Sequence, residues 1–133
     1  MLSKAAQYAI RACLFLATQS DDDKRFTVKQ ISEELDLPSP FLAKLLQKLS
    51  KANLVSSLKG SKGGFYFSTS NKQNNLWDVI ICIDENQKFQ SCIIGFPECG
   101  LDNPCPFHDL VFDFRNKMIG EFQDRSFFDG TGM

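Results

Sequence analysis

Apolar residues recur at helical spacing in the first third of the chain. Residues 3–19, SKAAQYAIRACLFLATQ, place them on one side of a helix, and Ser3 is suited to be its N-cap. A second helix is predicted from Thr27, in TVKQISEEL, with apolar residues three and four positions apart. Because a proline disfavours helical geometry at the residue before it, Pro38 is expected to separate this helix from the next.

A third helical pattern follows directly in SPFLAKLLQKLSKANLV. Ser39 is predicted as its N-cap and Pro40 as its first helical residue. Four leucines form the face expected to be buried: Leu42, Leu45, Leu46 and Leu49. The opposite face is basic and carries Pro40, Phe41, Lys44, Lys48 and Lys51. Two short helices with a brief break, the second basic on its outer face, predict a helix-turn-helix.

The next pattern changes from helix to strand. LVSSLKG, SKGG and FYFSTS predict a strand, a glycine turn and a second strand, with Lys59 and Lys62 at the tip. A basic hairpin directly after a helix-turn-helix is typical of the wing of a winged helix. Its lysines can contact phosphate or the minor groove while the helix enters the major groove. The alternative is an ordinary hairpin whose lysines only favour solubility.

Two more helices are predicted in the C-terminal half. A polar linker over residues 71–75 leads into NLWDVIICIDE, a short helix whose Trp77, Ile80 and Ile81 are expected in the core or in docking. A longer helix, PFHDLVFDFRNKMIGEFQD, is expected to begin at Pro106, and the tail RSFFDGTGM is expected to be loose. The long helix has a broad apolar stripe: Phe107, Leu110, Val111, Phe114, Met118, Ile119 and Phe122.

This stripe predicts a seam between two copies of the chain, because two-fold operators are bound by two-fold proteins. Its candidate interface residues are Phe107, Leu110, Val111, Phe114, Met118 and Phe122. The alternative is that the helix packs back on its own domain.

Charge and composition narrow the function classes. The 133 residues have a net charge of −1, yet residues 1–72 carry 11 basic against 6 acidic side chains, and residues 73–133 carry 4 against 10. The basic half suggests a polyanion partner. Neither a signal peptide nor an apolar run of membrane-spanning length is present, so we expect a cytoplasmic protein with no membrane partner. KGSKGG lacks the spacing of a P-loop, and no nucleophile–base pairing indicates an enzyme.

Candidate chemistry is concentrated in SCIIGFPECGLDNPCPFHD, residues 91–109. Cys92, Cys99, Cys105 and His108, the only histidine, form a complete set of thiolate and imidazole ligands for zinc or iron. With Pro106 at a helix start, Cys105 is expected at or next to the N-cap, where the helix dipole favours its thiolate. The other two cysteines, Cys13 and Cys82, lie in apolar runs and are expected in the core.

With these parts in place, the sequence resembles the IscR/NsrR/CymR (Rrf-two) family of bacterial winged-helix repressors. The resemblance runs nearly end to end and is most specific from LVSS to GGFYF and in the spacing C-x6-C-x5-C-x2-H. It implies a mostly α fold with a small β-hairpin wing and a long C-terminal dimerisation helix. It also implies a homodimer that binds promoter DNA. The corresponding domains are a DNA-binding unit, 1–72, and a unit of linker helix, cysteine loop and dimerisation helix, 73–133.

In IscR-like members three cysteines and a histidine hold a [2Fe–2S] cluster, which the resemblance transfers to Cys92, Cys99, Cys105 and His108. Such a cluster can be lost in aerobic purification. The expected function is therefore that of a transcriptional regulator, and the resemblance implies a repressor. Its operator binding is expected to respond to an iron–sulfur cluster or a redox signal. Zinc at the same residues, a metal-free thiol switch and a small electron carrier are the alternatives.

The candidate contacts to double-stranded operator DNA lie in the first helix, in the third helix, which is the recognition helix of the predicted helix-turn-helix, and in the wing. They are Ser3, Lys4, Ser39, Pro40, Phe41, Lys44, Lys48, Lys59, Ser61 and Lys62. Two positions depart from the family. Ala43 replaces a glutamate important in operator choice, and Lys59 replaces a wing arginine. The operator sequence therefore cannot be transferred from the family.

Overall fold

The computed structural model describes residues 2–84, 94 and 104–127. Within these ranges the elements follow in the order α1 (Lys4–Gln19), α2 (Val28–Leu35), α3 (Ser39–Lys51), β1 (Ser56–Leu58), β2 (Gly64–Tyr66), α4 (Thr69–Lys72), α5 (Leu76–Ile83) and α6 (His108–Asp124). Helices predominate, and the two strands form one antiparallel hairpin. The predicted fold class is confirmed.

Helix α1 lies at the centre of the core. Its buried face is built from small residues, including Ala6, Ala9 and Ala12, which are fully buried. Small side chains let α5 and α3 approach α1 closely, and both helices pack against it. The helix begins at the predicted cap, since the Ser3 side chain accepts a hydrogen bond from the Ala6 backbone N–H at 3.0 Å.

Helices α2 and α3 form the predicted helix-turn-helix, with three residues between them. The turn is made by Asp36, which adopts a left-handed φ of 55°, and a hydrogen bond from Ser32 Oγ to the Leu37 carbonyl closes it. All four leucines of the predicted α3 face are buried: Leu42, Leu45, Leu46 and Leu49. Their burial turns the opposite, polar face of α3 toward solvent.

Two predicted helix starts are wrong by one or two residues. The N-cap of α3 is Pro38 rather than Ser39, because the Leu42 N–H already donates to the Pro38 carbonyl at 3.0 Å, and no side chain caps the end. Helix α6 begins at His108 with Phe107 as N-cap, not at Pro106. At both ends the proline pattern indicated the start without fixing the residue at which helical hydrogen bonding begins.

The wing hairpin pairs Ser56 with Tyr66 and Leu58 with Gly64. A third segment joins it, since Phe26 and Phe65 exchange two backbone hydrogen bonds of 2.7 and 2.9 Å. This bridge was not predicted, because one residue before α2 carries no strand pattern. It attaches the hairpin to the chain between α1 and α2.

Parts of two segments expected to be irregular are structured among the described residues. The predicted polar linker, 71–75, includes the last two residues of α4, and its Asn71 is 4% exposed. In the predicted loose tail, Phe127 is buried and packs on Phe67 with ring centroids 5.3 Å apart. Polar composition and terminal position both suggested disorder, and tertiary contacts overrode them.

One buried cluster contains residues from both sides of the predicted boundary at residues 72 and 73, including α5 and Phe127 together with α1 to α3. The division into domains 1–72 and 73–133 stays a prediction. Among the described helices, none combines the length and the apolar character that a membrane crossing requires.

Candidate nucleic-acid interface and ligand cluster

The outer face of α3 is the first part of the candidate DNA interface. Every predicted contact on this helix is exposed: Ser39, Pro40, Phe41, Lys44 and Lys48. The Phe41 ring also meets Tyr8 of α1 edge-on, with centroids 5.7 Å apart. Phe41 therefore packs against α1 while it remains 38% exposed, so part of its surface can contact DNA.

The wing tip presents the second part. Lys59, Ser61 and Lys62 are all exposed in the loop between β1 and β2. The loop is shaped by Gly60, at φ 114°, and by Gly63, where a Cβ would lie 2.0 Å from the Leu58 carbonyl oxygen. Glycine is thus required for the tight return that exposes the two lysines.

Charge is distributed unevenly over these elements. Between Asp36 and Asp78 the chain contains six lysines and no acidic residue. This stretch includes all of α3 and the wing, so both elements carry lysines and no carboxylate of their own. Such a surface attracts the phosphate backbone and lets polar side chains reach base edges.

The start of α1 contributes two predicted contacts, Ser3 and Lys4, to the candidate DNA interface. Lys4 is exposed, whereas Ser3 is half-buried and serves mainly as the helix cap. Ser3 Oγ also donates to Asp84 Oδ1 at 2.6 Å. Asp84 is buried, and it is the last residue described before the cysteine segment. The start of α1 is thereby joined to the end of α5, which precedes that segment in the chain.

Of the four predicted metal ligands, the structure places two. Cys92 and Cys99 lie outside the described residues, while Cys105 and His108 are both half-buried. The His108 backbone N–H donates to the Cys105 carbonyl at 3.0 Å, so the two residues share one turn. The His108 ring stacks on Phe112, and its Nε2 is buried.

The expected position of Cys105 needs correction. Since α6 starts at His108, Cys105 precedes the N-cap Phe107 by two residues and lies in the turn before the helix. Thiolate stabilisation by an N-cap position therefore does not apply. The donor chemistry of a thiol next to an imidazole still fits iron or zinc. Within the described ranges no group of three potential ligands is assembled.

The remaining cysteines differ from each other. Cys13 is fully buried, as predicted, and burial together with the nearby Cys82 raises the pKa of its thiol above the usual range. Cys82 is only half-buried, and its Sγ donates to the Lys48 carbonyl at 3.8 Å. Cys82 thus contacts the backbone of the recognition helix as well as the core.

The predicted dimer face of α6 is largely uncovered in the single chain. Phe107, Leu110 and Phe114 are 53%, 76% and 60% exposed. The other three predicted interface residues are half-buried: Val111, Met118 and Phe122. Near its C-terminal end α6 and Leu76 line an apolar cavity of about 390 Å³. The helix therefore packs on α5 with one side and leaves a large apolar surface on the other.

Sequence patterns did not single out one polar residue that joins the interface elements. Asn71 is buried between the end of α3, the first wing strand and the wing exit. The available signal was the spacing of Ser68 and Asn71, three apart, which the structure shows to be a capping box.

Comparisons with known proteins agree with this geometry. The Rrf2 family model, described as an iron-dependent transcriptional regulator, matches residues 2–129. The chain belongs to the Rrf2 family. Family and fold together indicate that this Rrf2 protein is a DNA-binding transcriptional regulator and not an enzyme.

Two relatives show the extent of the similarity. The Rrf2 chain is 30% identical to an HTH-type transcriptional regulator of Aquifex aeolicus, over 98% of this chain and 87% of the relative. It is 29% identical to the regulator IscR of Photobacterium profundum, over 90% of this chain and 68% of that protein.

A solved structure shares the fold. The global cysteine regulator CymR of B. subtilis superposes with a TM-score of 0.78 at 18% identity, covering 99% of this chain and 96% of that one. The match confirms the arrangement of helix-turn-helix, wing and C-terminal helix.

Proposed function

We propose that this Rrf2 protein acts in the cytoplasm as a homodimeric repressor whose operator binding responds to a [2Fe–2S] cluster. Cys92, Cys99, Cys105 and His108 are its proposed ligands. The observation that carries the proposal is the exposed lysine-bearing face of α3 and the wing, in one chain with Cys105 and His108 at the start of α6.

The DNA-binding part rests on exposure and charge. The buried leucines of α3 orient its lysines outward, and the glycine turn exposes Lys59 and Lys62 at the wing tip. A helix in the major groove and a wing on the flanking phosphates would use both surfaces at once. Two copies joined along α6 would present two such surfaces to a two-fold operator.

The sensor part rests on the connections at both ends of the cysteine segment. Asp84, which precedes the segment, bonds to Ser3 at the start of α1. At the other end, Cys105 and His108 lie at the start of α6, and α6 packs on α5. The chain after α6 reaches the wing exit, where Phe127 packs on Phe67. A change at the ligands would therefore act through α6, which packs on α5 and leads to the contact of Phe127 with Phe67 at the wing exit.

A bound [2Fe–2S] cluster would supply redox and ligand-exchange chemistry at these thiolates and this imidazole. Cys105 and His108 share one turn at the start of α6, and Phe112 stacks on the imidazole ring.

The identity of the bound species is tested by anaerobic purification followed by a metal assay, an acid-labile sulfide assay and an absorption spectrum. We expect coloured protein with iron and sulfide. Colourless protein with stoichiometric zinc would show that the site binds structural zinc and not a cluster. Protein without any metal would favour a thiol switch.

DNA binding is tested separately by titrating the protein against a duplex from its own promoter region at several salt concentrations. We expect a steep loss of affinity as salt rises, because the lysines displace phosphate counterions. Reconstituting the cluster anaerobically should then change the affinity for this duplex. An unchanged affinity would refute the proposed coupling between the cluster and DNA binding, but it would not contradict the DNA-binding function itself.

A further inference from the structure

A single buried amide connects the recognition helix to both arms of the wing. Asn71 Oδ1 accepts hydrogen bonds from Ser56 Oγ at 2.7 Å and from Ser68 Oγ and the Ser68 backbone N–H, each at 2.9 Å. Its Nδ2 donates to the Asn53 carbonyl at 3.2 Å. With only 4% of Asn71 exposed, solvent offers little replacement for these bonds.

The three partners mark the base of the wing. Asn53 lies in the turn that follows α3, in a left-handed conformation at φ 62°, and Ser56 is the first residue of β1. Ser68 follows β2 and caps α4. The amide therefore holds the exit of α3, the entry to the hairpin and the exit from the hairpin at fixed distances from one another.

An uncharged carboxamide makes this whole set of bonds. The two serine hydroxyls and the Ser68 N–H donate to an acceptor, and the Asn53 carbonyl accepts from a donor. Asparagine supplies both on one planar group of the right length. A carboxylate would retain the acceptor and place a negative oxygen against the Asn53 carbonyl.

We propose that Asn71 is a positioning residue for sequence-specific DNA binding, because it sets the orientation of the wing relative to the recognition helix. The inference rests on the proposed DNA-binding function of both elements. Asn71 does not contact DNA itself. A fixed orientation lets α3 and the wing engage one duplex together, which specific binding needs and charge-driven, non-specific binding does not.

The test measures the ratio of affinities for two duplexes of equal length. One is selected from a random pool by the wild-type protein, and the other is an unselected duplex. Asn71→Asp should lower this ratio about tenfold at pH 8, where the carboxylate repels the Asn53 carbonyl.

Ser56→Ala is the second variant, since it removes one bond at the partly buried base of β1 and leaves the charge unchanged. It should lower the ratio about threefold with thermal unfolding close to that of the wild type. Thr69→Ala, an exposed neighbour of Asn71, is the matched control and should leave the ratio unchanged.

The outcomes separate the two proposals. A wild-type protein that selects no preferred duplex would overturn the proposed function itself. A wild-type protein with a preferred duplex, combined with unchanged ratios in both variants, would overturn the positioning role alone. A ratio lowered in Thr69→Ala as much as in the two variants would assign the effect to a damaged fold and would also overturn it. Should Asn71→Asp fail to fold, the ratio for Ser56→Ala decides.

Discussion

Buried polar side chains in this protein tie one element to another. Ser20, at the end of α1, donates to the Leu16 carbonyl at 2.5 Å and accepts from the Phe67 N–H at 2.8 Å, so it joins α1 to the wing exit. Ser3 and Asp84 join α1 to α5 in the same manner. Because a buried polar group without a partner is costly, each such residue specifies one relative position of two elements.

Cys13 is expected to be chemically inert in the native protein. Burial raises the pKa of its thiol, so at neutral pH it stays protonated and lacks the reactive thiolate form. Alkylation by iodoacetamide, followed by mass spectrometry, should leave Cys13 unmodified in native protein and modify it fully after unfolding. The half-buried Cys82 is the internal reference and should react faster. Rapid native modification of Cys13 would contradict the placement of α1 in the core.

Replacing His108 with alanine should separate the sensor chemistries. The variant removes an imidazole that is adjacent to Cys105 and half-buried against Phe112. If a cluster or zinc is bound, metal content after anaerobic purification should fall at least several-fold, because losing one ligand of four weakens a metal site strongly. A thiol switch without metal would show the same redox response in both proteins. Asn116→Ala, which alters an exposed residue of the same helix outside the proposed interface, is the control for general damage.

The wing depends on backbone geometry more than on side-chain packing. Its strands are only three residues each, and the neighbouring Phe26 bridge supplies two of its hydrogen bonds. Gly64 permits this close approach: it has φ 149°, and a Cβ there would lie 2.6 Å from the Phe26 carbonyl oxygen. A hairpin this short needs the bridge to hold its orientation.

Gly64→Ala should therefore destabilise the protein by about 1–3 kcal/mol, the usual cost of backbone strain in a disallowed region. It should also weaken DNA binding, since the bridge at Phe26 must open. Gly120→Ala is the matched control, because its Cβ would meet nothing within 4 Å in the middle of α6. That change should raise the free energy of unfolding by about 0.5–1 kcal/mol. Denaturant unfolding of both variants measures the change in the free energy of unfolding, which should be negative for Gly64→Ala and positive for Gly120→Ala. Equal changes in the two variants would refute this account of Gly64.

At the scale of the whole molecule, α6 leaves a large apolar surface uncovered in the single chain. Leu110 and Phe114 lie one turn apart and are 76% and 60% exposed, and the nearby Phe107 is 53% exposed. Monomeric proteins seldom leave such a contiguous apolar surface open to water. This is the reason for proposing a second copy of the chain as its partner.

The double variant Leu110→Glu, Phe114→Glu should convert the proposed dimer to a monomer. Light scattering after size exclusion would measure the mass, and circular dichroism should show unchanged helix content, because both side chains point away from the core. Affinity for a two-fold duplex should fall by at least tenfold, since a monomer loses the gain from simultaneous binding. Asn116→Glu, exposed on the same helix, should leave the mass unchanged. A wild-type protein that is already monomeric would reject the dimer proposal.

The sequence alone determined the parts that depend on local periodicity and charge. The leucine spacing in α3, the glycine turn of the wing and the capping of α1 by Ser3 each act over a few residues, so they are visible without the fold. The basic character of α3 and the wing also follows from composition. These features sufficed to predict a winged helix-turn-helix, a prediction that the structure and the family match confirm.

The tertiary structure decided what depends on residues distant in sequence. The Phe26 bridge, the Ser3–Asp84 bond and the packing of Phe127 on Phe67 join positions that share no local pattern. Asn71 was assigned to a polar linker because asparagine usually faces water, and only the converging serine hydroxyls and the Asn53 carbonyl make its burial favourable. Periodicity determined which faces are buried, and long-range hydrogen bonds determined how the DNA-facing elements are oriented to one another.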